Sequence, residues 1–421
     1  MSPKPLGPKL IILSLFICFP LTVLGSELKL NWNEALRRAL EKNPRVKAAE
    51  NELAATASRL RSSQWQFAPR LTAEAAWGQS GGSRSRTGTE NTYSTTLGVH
   101  QNIFNLTYFG DLSQAQAAHD SRKIGLEIAK LDLIRSLKTT FAKALYSQRL
   151  AQLSKSIIER RRRNLELVEL RYEGGRENRG AVLLSKANLE DARLEQLQAE
   201  NALKVSLTEL KTLMELEEAE TIVLDGEPPI SPPPTQVDYE SLLQSTPERV
   251  QALANEKQKE AAITSARGDL FPSLGLSANI GRYGDQFLPQ TDGWSVGVTL
   301  SIPFGNGPGY YRLQAARADA YAESYKRRST ENDLRVRIEN AHRTYIESDK
   351  RVAIAEDFLK ATRARAEIAR KRYELGLVSF DEWDRIESDL VSRERAALQA
   401  KRDRIIAEAE WEYLIGKGDN L

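Results

Sequence analysis

The sequence contains almost no cysteine, and this scarcity excludes two kinds of site. Its 421 residues include one Cys, three His and two Met. A disulfide framework needs paired cysteines, and a zinc or iron–sulfur site built on thiolates needs several. Aromatic residues are also scarce, at 7%, whereas charged residues reach 28%. This composition favours long helices over a thick globular core.

A strong excess of one charge is missing as well. The chain has 60 Lys and Arg against 57 Asp and Glu, a formal net charge of +3. Two of these basic residues, Lys4 and Lys9, lie in the N-terminal targeting segment described next, so the rest of the chain is nearly neutral. We therefore expect no nucleic-acid partner, because the chain offers no broad basic field.

The N-terminus has the pattern of a secretory signal peptide. Basic residues precede an apolar run at 10–19, and small residues precede Ser26. We predict that residues 1–25 are removed; the alternative, an uncleaved anchor, would need a longer run of about 20 residues. Cys18 follows bulky residues rather than the small ones of a lipoprotein signal, so we expect no lipid anchor. The mature chain would then be exported and free of cysteine.

Three sequence landmarks occur twice, in the same order and at nearly the same offset. Residues 67–71 recur at 270–274, residues 102–105 at 302–305, and residues 171–175 at 372–376. A repeat of this length is the signature of a duplicated architecture. We predict two structural repeats, 26–225 and 236–416, followed by a short tail at 417–421. The proline-rich connector at 226–235 should be extended.

Each repeat contains two segments in which apolar and small polar residues alternate, strictly in the second repeat and more weakly in the first. Such alternation predicts strands at about 70–78 and 93–104 in the first repeat and at 273–283 and 294–304 in the second. The opposite face carries Ser, Gly, Thr and Asn rather than charges. This favours the interior of a barrel over the ordinary alternative, a sheet packed on helices. Four aromatic residues border the loops, where a membrane barrel places its aromatic girdle; they are Trp77, Tyr93, Tyr283 and Trp294.

Between the strands, apolar residues step by threes and fours, which predicts helices. Residues 106–172 and 311–373 contain no proline, so each could form one helix on the order of 100 Å long. Return helices are expected at 181–217 and 380–413, with the narrow seams of coiled coils. No later run of about 18 apolar residues predicts a spanning helix. If the chain enters a bilayer, it must therefore do so as a closed β-barrel.

Four strands cannot close a barrel, and an open sheet edge cannot face lipid. Several chains must then share one barrel, and three chains would supply twelve strands. The fold class predicted from the sequence is mainly α with a small β part. It comprises two repeats of long coiled-coil helices with a strand pair each, which form a trimeric helical tunnel continued by a 12-stranded antiparallel transmembrane barrel.

The chain resembles the TolC-like outer-membrane efflux proteins over nearly its whole mature length. The resemblance rests on an LxxxEALxxALxxNP pattern from Leu30 to Pro44, on the strand entry FxPxL at 67–71 with its counterpart FPxL at 271–274, and on the paired RYxxG motifs. It implies a homotrimer in the outer membrane whose helical tunnel lies in the periplasm. It also implies a periplasmic adaptor, an inner-membrane pump reached through that adaptor, and cargo of drugs, metals or proteins. It implies no cofactor.

By resemblance, the two RYxxG turns form the periplasmic tip, where the adaptor docks and the pore narrows. The docking candidates are Gly175, Arg176, Arg179, Tyr373 and Gly376. The family's two constriction aspartates correspond to Glu382 and Arg385, with Asp381 and Asp384 beside them. Both an anionic ring and a ring of alternating charge stay open. The plain alternatives are glycines that cap helices and acids that favour a helix N-terminus.

The family also closes its tip with a bond from the second-repeat tyrosine to an aspartate. Tyr373 is present, but the aspartate position is Ala181, and an arginine expected two residues after Gly376 is Val378. We therefore expect this chain to lack that lock.

Catalysis finds no support, because the histidines His100, His119 and His342 are scattered and no phosphate-binding loop occurs. Two other functions compete with the channel: a periplasmic adaptor and a structural coiled-coil protein of the envelope. An adaptor would show its hairpin once, whereas this chain shows it twice. The sequence does not select the cargo or the class of pump.

Overall fold

The computed structural model describes residues 28–81, 90–217 and 222–417. The predicted signal peptide, part of the first strand-connecting loop and residues 418–421 of the predicted tail lie outside these ranges. The helices of the described residues are α1 (Trp32–Lys42), α2 (Pro44–Trp65), α3 (Leu106–Glu173), α4 (Arg179–Met214), α5 (Tyr239–Ser245), α6 (Pro247–Gly268), α7 (Gly307–Glu374) and α8 (Phe380–Leu414). The strands are β1 (Leu28–Leu30), β2 (Arg70–Ser80), β3 (Glu90–Phe104), β4 (Ile222–Leu224), β5 (Ser273–Gly284) and β6 (Thr291–Ser301).

The chain is mainly helical, and two helices dominate it. Helices α3 and α7 have 68 residues each, so each is about 100 Å long at 1.5 Å per residue. Near the strands, α3 packs against α2 and α6, and farther along it packs against α4 and α8. Helix α7 packs against α6 and then α8. Each repeat is therefore a long helical hairpin that is broadened by one extra helix beside the sheet.

The opening pattern of each repeat ends one helix and begins the next. Asn43 terminates α1, and its side-chain oxygen accepts the Arg45 N–H at 3.0 Å. Pro44 then occupies the first position of α2, where its missing N–H has no helical partner to lose. Thr246 and Pro247 make the same break between α5 and α6. The Asn-Pro of the sequence pattern is thus a helix boundary.

The two strand pairs join into one antiparallel sheet in the order β2-β3-β5-β6. The central pairing, β3 with β5, links the first repeat to the second. Strand β6 ends at Ser301 and not at the predicted residue 304, because Pro303 has no N–H to donate to a ladder. A small parallel pair, β1 with β4, was not predicted and closes the first repeat.

The pleat gives the sheet two different faces. One face carries Leu71, Leu97, Ile280 and Val298, which are 61–78% exposed in this chain. The other carries mainly Ser, Thr, Gly and Asn, together with Glu74 and His100 in the first repeat. None of the helices in the described part of the chain combines the length and apolar character that crossing a bilayer would require.

The connector between the repeats is extended, and buried polar groups hold it against the second hairpin. The Ser231 N–H donates to Glu408 Oε1 at 2.6 Å, and Tyr345 donates its hydroxyl to the Ser231 carbonyl. Beneath the connector, the fully buried Lys138 donates to Glu412 at 2.7 Å. Because Lys138 belongs to α3 and both glutamates belong to α8, this cluster also joins the two hairpins.

Candidate functional site at the hairpin turns

The two RYxxG turns, 171–179 and 372–380, are here called the tip, and they share one backbone geometry. Gly175 has a φ of +68° and Gly376 a φ of +77°, in the left-handed region that favours glycine. In both turns the residue after the glycine donates its N–H to the carbonyl of the motif's arginine, at 2.8 Å. This bond pattern is a Schellman C-cap.

Each return helix restarts with a side-chain cap. The Asn178 side chain accepts the Ala181 N–H at 2.9 Å, and the Ser379 hydroxyl accepts the Glu382 N–H at 3.2 Å. These caps satisfy donors that the first turn of a helix leaves free. The turns are therefore short, fixed and closely matched in their backbones.

The side chain of Tyr373 lies at the centre of the tip. It is fully buried and stacks on Trp383 with the ring centroids 4.3 Å apart and the planes within 10°. The Arg171 guanidinium lies 4.5 Å from the centroid of the same ring and also donates to the Tyr373 carbonyl. Arg171 of the first hairpin thus contacts the buried core of the second hairpin.

The Tyr373 hydroxyl donates to Glu177 Oε2 at 2.9 Å, a bond that the sequence did not predict. Position 181 is indeed a buried alanine, but Glu177, four residues earlier, supplies a carboxylate instead. Burial, helped by Glu177, raises the pKa of Tyr373 far above its usual range. The hydroxyl therefore keeps its proton and remains a donor. We call the Tyr373–Glu177 bond the latch.

The four constriction candidates separate into two groups. Asp381, Glu382 and Arg385 are exposed, and within the described ranges their side chains have no bonding partner. Asp384 instead accepts from Arg161 at 3.1 Å and from Asn188 at 3.0 Å. The structure thus places Asp384 between α8, α3 and α4, where its charge is already paired.

Asp384 is one member of an ionic row between α3 and α8 that the sequence analysis missed. Arg160 makes a two-pronged contact with Glu394 at 2.6 and 3.2 Å and lies 3.6 Å from Glu387. Burial raises the pKa of the Glu387 carboxyl, although Arg160 acts in the opposite direction. The arginine run at 160–163 was the available signal, but solvated helix faces carry similar runs.

The two turns present different surfaces to the solvent. Arg176 and Arg179 are exposed in the first turn. In the second turn the equivalent surface is apolar, since Leu375 is 75% and Leu377 62% exposed. A docking partner would therefore meet charge on one turn and apolar side chains on the other.

The aromatic residues near the strand ends do not form one band. Trp77 pairs with Tyr93, and both lie on the apolar face with Trp294. Tyr283 pairs with Ser94 and Thr291, which lie on the polar face. Because neighbouring residues of a strand point to opposite faces, Tyr283 cannot share a girdle with the other three. The same pleat places Arg282 on the apolar face.

No group of three or more His, Cys, Asp or Glu side chains among the described residues could hold a metal ion.

The comparisons with known proteins agree with this picture of the fold. The sequence profile of the family described as "Outer membrane efflux protein" matches residues 35–215 and 239–417. Nodulation protein T of Rhizobium leguminosarum bv. trifolii is 24% identical over 365 residues, which cover 82% of this chain and 75% of that protein. Alkaline protease secretion protein AprF of Pseudomonas aeruginosa is 23% identical and covers 95% of this chain and 85% of its own length.

Solved structures share the fold at low sequence identity. The outer-membrane channel OprN superposes with a TM-score of 0.84 at 21% identity, covering 92% of this chain and 90% of its own. The open state of the MtrE outer membrane channel of Neisseria gonorrhoeae gives 0.76 at 19% identity and covers 99% and 98%. The likeness therefore extends over almost the entire chain.

Proposed function

Because the chain belongs to the outer membrane efflux protein family, we propose that three copies form the outer-membrane exit duct of an efflux pump or a type I secretion system. A periplasmic adaptor would join the duct to an inner-membrane pump. The helical tunnel would cross the periplasm, and the apolar face of the sheet would contact outer-membrane lipid.

The observation that carries this proposal is the pair of open edges on the chain. Strands β2 and β6 are the outer strands of the sheet. Beside the sheet, α2, α3, α6 and α7 pack in the same order, which leaves α2 and α7 outermost. The sheet and the layer of helices beside it therefore have their outer edges on the same two sides of the chain. Such unlike edges pair head to tail, and a ring of copies satisfies all of them.

Farther from the sheet, towards the tip, the two helical hairpins also have unlike edges. Helix α4 flanks α3, and α7 flanks α8, so the α3–α8 contact lies in the middle. Exposed apolar residues continue along both outer helices; they are Leu183, Leu194, Leu197 and Val205 on α4 and Ile354, Phe358 and Ile368 on α7. Their spacings fit the three-and-four rhythm of a coiled-coil seam. Each stripe is a matching surface for the other in a neighbouring copy.

Three copies are favoured by the strand count. Four strands per chain leave two edges that lipid cannot satisfy. Three chains supply twelve strands, an even number within the range of known outer-membrane barrels. At the far end, the latch would hold the two hairpins of each copy together in the closed duct, and an adaptor on the tip would release them.

Membrane fractionation and light scattering in mild detergent test this proposal. We expect a trimer in the outer-membrane fraction. A soluble periplasmic monomer would contradict the shared barrel, because its sheet edges would then face water.

Cysteine cross-linking locates the edges. Thr72→Cys in β2 is combined in turn with Ser295→Cys, Thr299→Cys or Ser301→Cys in β6, in a mature chain expected to contain no other cysteine. At least one pair should give a covalent trimer. Thr96→Cys in the interior strand β3, combined with Thr299→Cys, is the matched control. It should stay monomeric on a denaturing gel, since the strands two places apart are about 10 Å apart.

A further inference from the structure

One arginine of the duplicated RYxxG motif contacts the tyrosine of the other copy of the motif, and among the described residues the other arginine makes no such contact. Arg171 lies over the ring of Tyr373, as described above. Its counterpart Arg372 is exposed, and its side chain makes no contact of this kind among the described residues. Tyr172, the counterpart of Tyr373, is 44% exposed. The repeat thus leaves one arginine and one tyrosine of the same motif unused at the tip.

The direction of the existing contact shows where these two residues can meet. Arg171 belongs to the first hairpin and reaches forward to the second. A contact made in the same direction from the second hairpin would extend beyond the chain and reach the first hairpin of the next copy. We propose that Arg372 lies over the Tyr172 ring of the next copy and repeats the Arg171–Tyr373 contact between subunits. This inference rests on the proposed ring of copies.

The neighbouring surfaces support this placement. Ile368 precedes Arg372 by four residues and so lies on the same face of α7, and its side chain is 60% exposed. The stripe that ends at Arg372 is therefore the outer edge of α7. The next copy would present the ends of α3 and α4 to this edge, and Tyr172 lies in the last turn of α3. Both turns have the same backbone geometry, so the arginine side chain should project from each helix end in the same direction relative to its turn.

One residue makes the two contacts unequal. Glu177 accepts the Tyr373 hydroxyl, and the residue at the equivalent place in the second turn is Val378. Valine cannot accept a hydrogen bond, so the contact between copies lacks the latch that the contact within a copy has. A ring of three copies would then hold three latched and three unlatched contacts. Opening of the tip should begin at the unlatched contacts, between copies.

Cross-linking in the intact protein tests the contact directly. Arg372→Cys and Tyr172→Cys are combined in one chain and treated with a short bis-maleimide reagent. We expect covalent trimers on a denaturing gel. Arg171→Cys with Tyr373→Cys is the matched control, which should react within each chain and leave a monomer band. If light scattering shows an intact trimer and the first pair gives no trimer band, the contact is wrong and the trimer stands. A monomer in solution would overturn both.

A gain-of-contact variant tests the missing latch. Val378→Glu supplies the absent acceptor, and we expect it to lower the open probability of single channels in planar bilayers. Tyr172→Phe in the same chain should cancel that decrease, because the phenyl ring has no hydroxyl to donate. Arg372→Ala alone should raise the open probability roughly two- to fivefold, as the loss of an exposed cation–π contact would. An unchanged effect of Val378→Glu in the Tyr172→Phe background would contradict the assignment.

Discussion

The two hairpin turns have one backbone and two different uses. Both end a 68-residue helix with a left-handed glycine and the same capping bonds. Yet Tyr373 is fully buried under Arg171 and against Trp383, whereas Tyr172 is 44% exposed. Duplication has therefore kept the geometry that a helix reversal requires. The side chains have diverged, so that the second turn holds the core of the tip and the first turn covers it.

Replacing each tyrosine in turn should reveal the largest difference in stability between the two turns. Tyr373→Ala deletes a buried ring from the packed cluster, and we expect a loss of about 3–5 kcal/mol of stability. Tyr172→Ala removes a half-exposed ring and should cost less than about 1 kcal/mol. Thermal unfolding of the purified protein in detergent, followed by its helical signal, compares the two. Similar losses of stability would show that the two tyrosines contribute equally and would contradict this difference between the turns.

The latch gives a smaller effect that belongs to one turn only. Tyr373→Phe removes the hydroxyl that donates to Glu177, a bond to a charged group worth about 1.5–3 kcal/mol. Tyr172→Phe should change little in the otherwise unaltered chain. In single-channel recordings, Tyr373→Phe should also raise the open probability. Glu177→Ala should add little in the Tyr373→Phe background, because both changes break the same bond; additive effects would contradict the latch.

The shared backbone is tested by the glycines, where the two turns should respond alike. Alanine at Gly175 would meet nothing within 4 Å, and at Gly376 only the end of the Arg171 side chain at 3.9 Å. Each substitution therefore introduces backbone strain alone, about 1–2 kcal/mol for a left-handed residue. Equal decreases in melting temperature are expected. A clear inequality would mean that one turn has a further backbone partner in the assembled duct.

The two repeats should also differ in how their stability depends on pH, because the buried Glu387 corresponds to the exposed Lys186 of the first repeat. Burial raises the pKa of the Glu387 carboxyl. A carboxyl with a raised folded-state pKa stabilises the fold fully below its ordinary pKa and loses this contribution as pH rises through the raised value. Glu387→Gln is neutral at every pH, so it should melt higher than the natural chain at neutral pH.

The advantage of Glu387→Gln should disappear in acid, where the natural carboxyl is also neutral. Each kcal/mol gained corresponds to a rise of about 1–2 °C in the melting temperature of a chain of this length. Lys186→Gln, the matched change in the first repeat, should leave the pH profile unchanged. A Glu387→Gln advantage that is the same at acid and neutral pH would show that packing, and not charge, is responsible.

Local patterns predicted the parts of the structure that depend on local chemistry. Proline-free stretches predicted the long helices, and the alternation of apolar and polar residues predicted the strands. The alternation also places Tyr283 on the polar face. Its assignment to the aromatic girdle, which rested only on its position beside a loop, is therefore wrong. The latch could not be predicted in this way, because Glu177 and Tyr373 are 196 positions apart. Only the packing of the two hairpins brings them together, and the same packing pairs Asp384 with Arg161.

The smallest expected effect concerns charges that only the second hairpin has. The counterparts of Glu382 and Arg385 are Ala181 and Leu184, so a trimer would carry three such pairs of charges and not six. Both residues are exposed, and salt screens exposed charges beyond about 10 Å at 0.1 M. Arg385→Asp should therefore shift the reversal potential modestly towards cations, and Glu382→Ala should shift it the other way.

The measurement is the reversal potential of planar bilayers under a salt gradient, with Asp384→Asn as the control on the same helix turn. Asp384 is already bound by Arg161 and Asn188. Its neutralisation should consequently lower the melting temperature and leave the reversal potential in place. If Asp384→Asn changed selectivity as much as Arg385→Asp, the pore would be lined by the face of α8 that this chain turns towards α3. The arrangement of the two hairpins would then have to differ in the assembled duct.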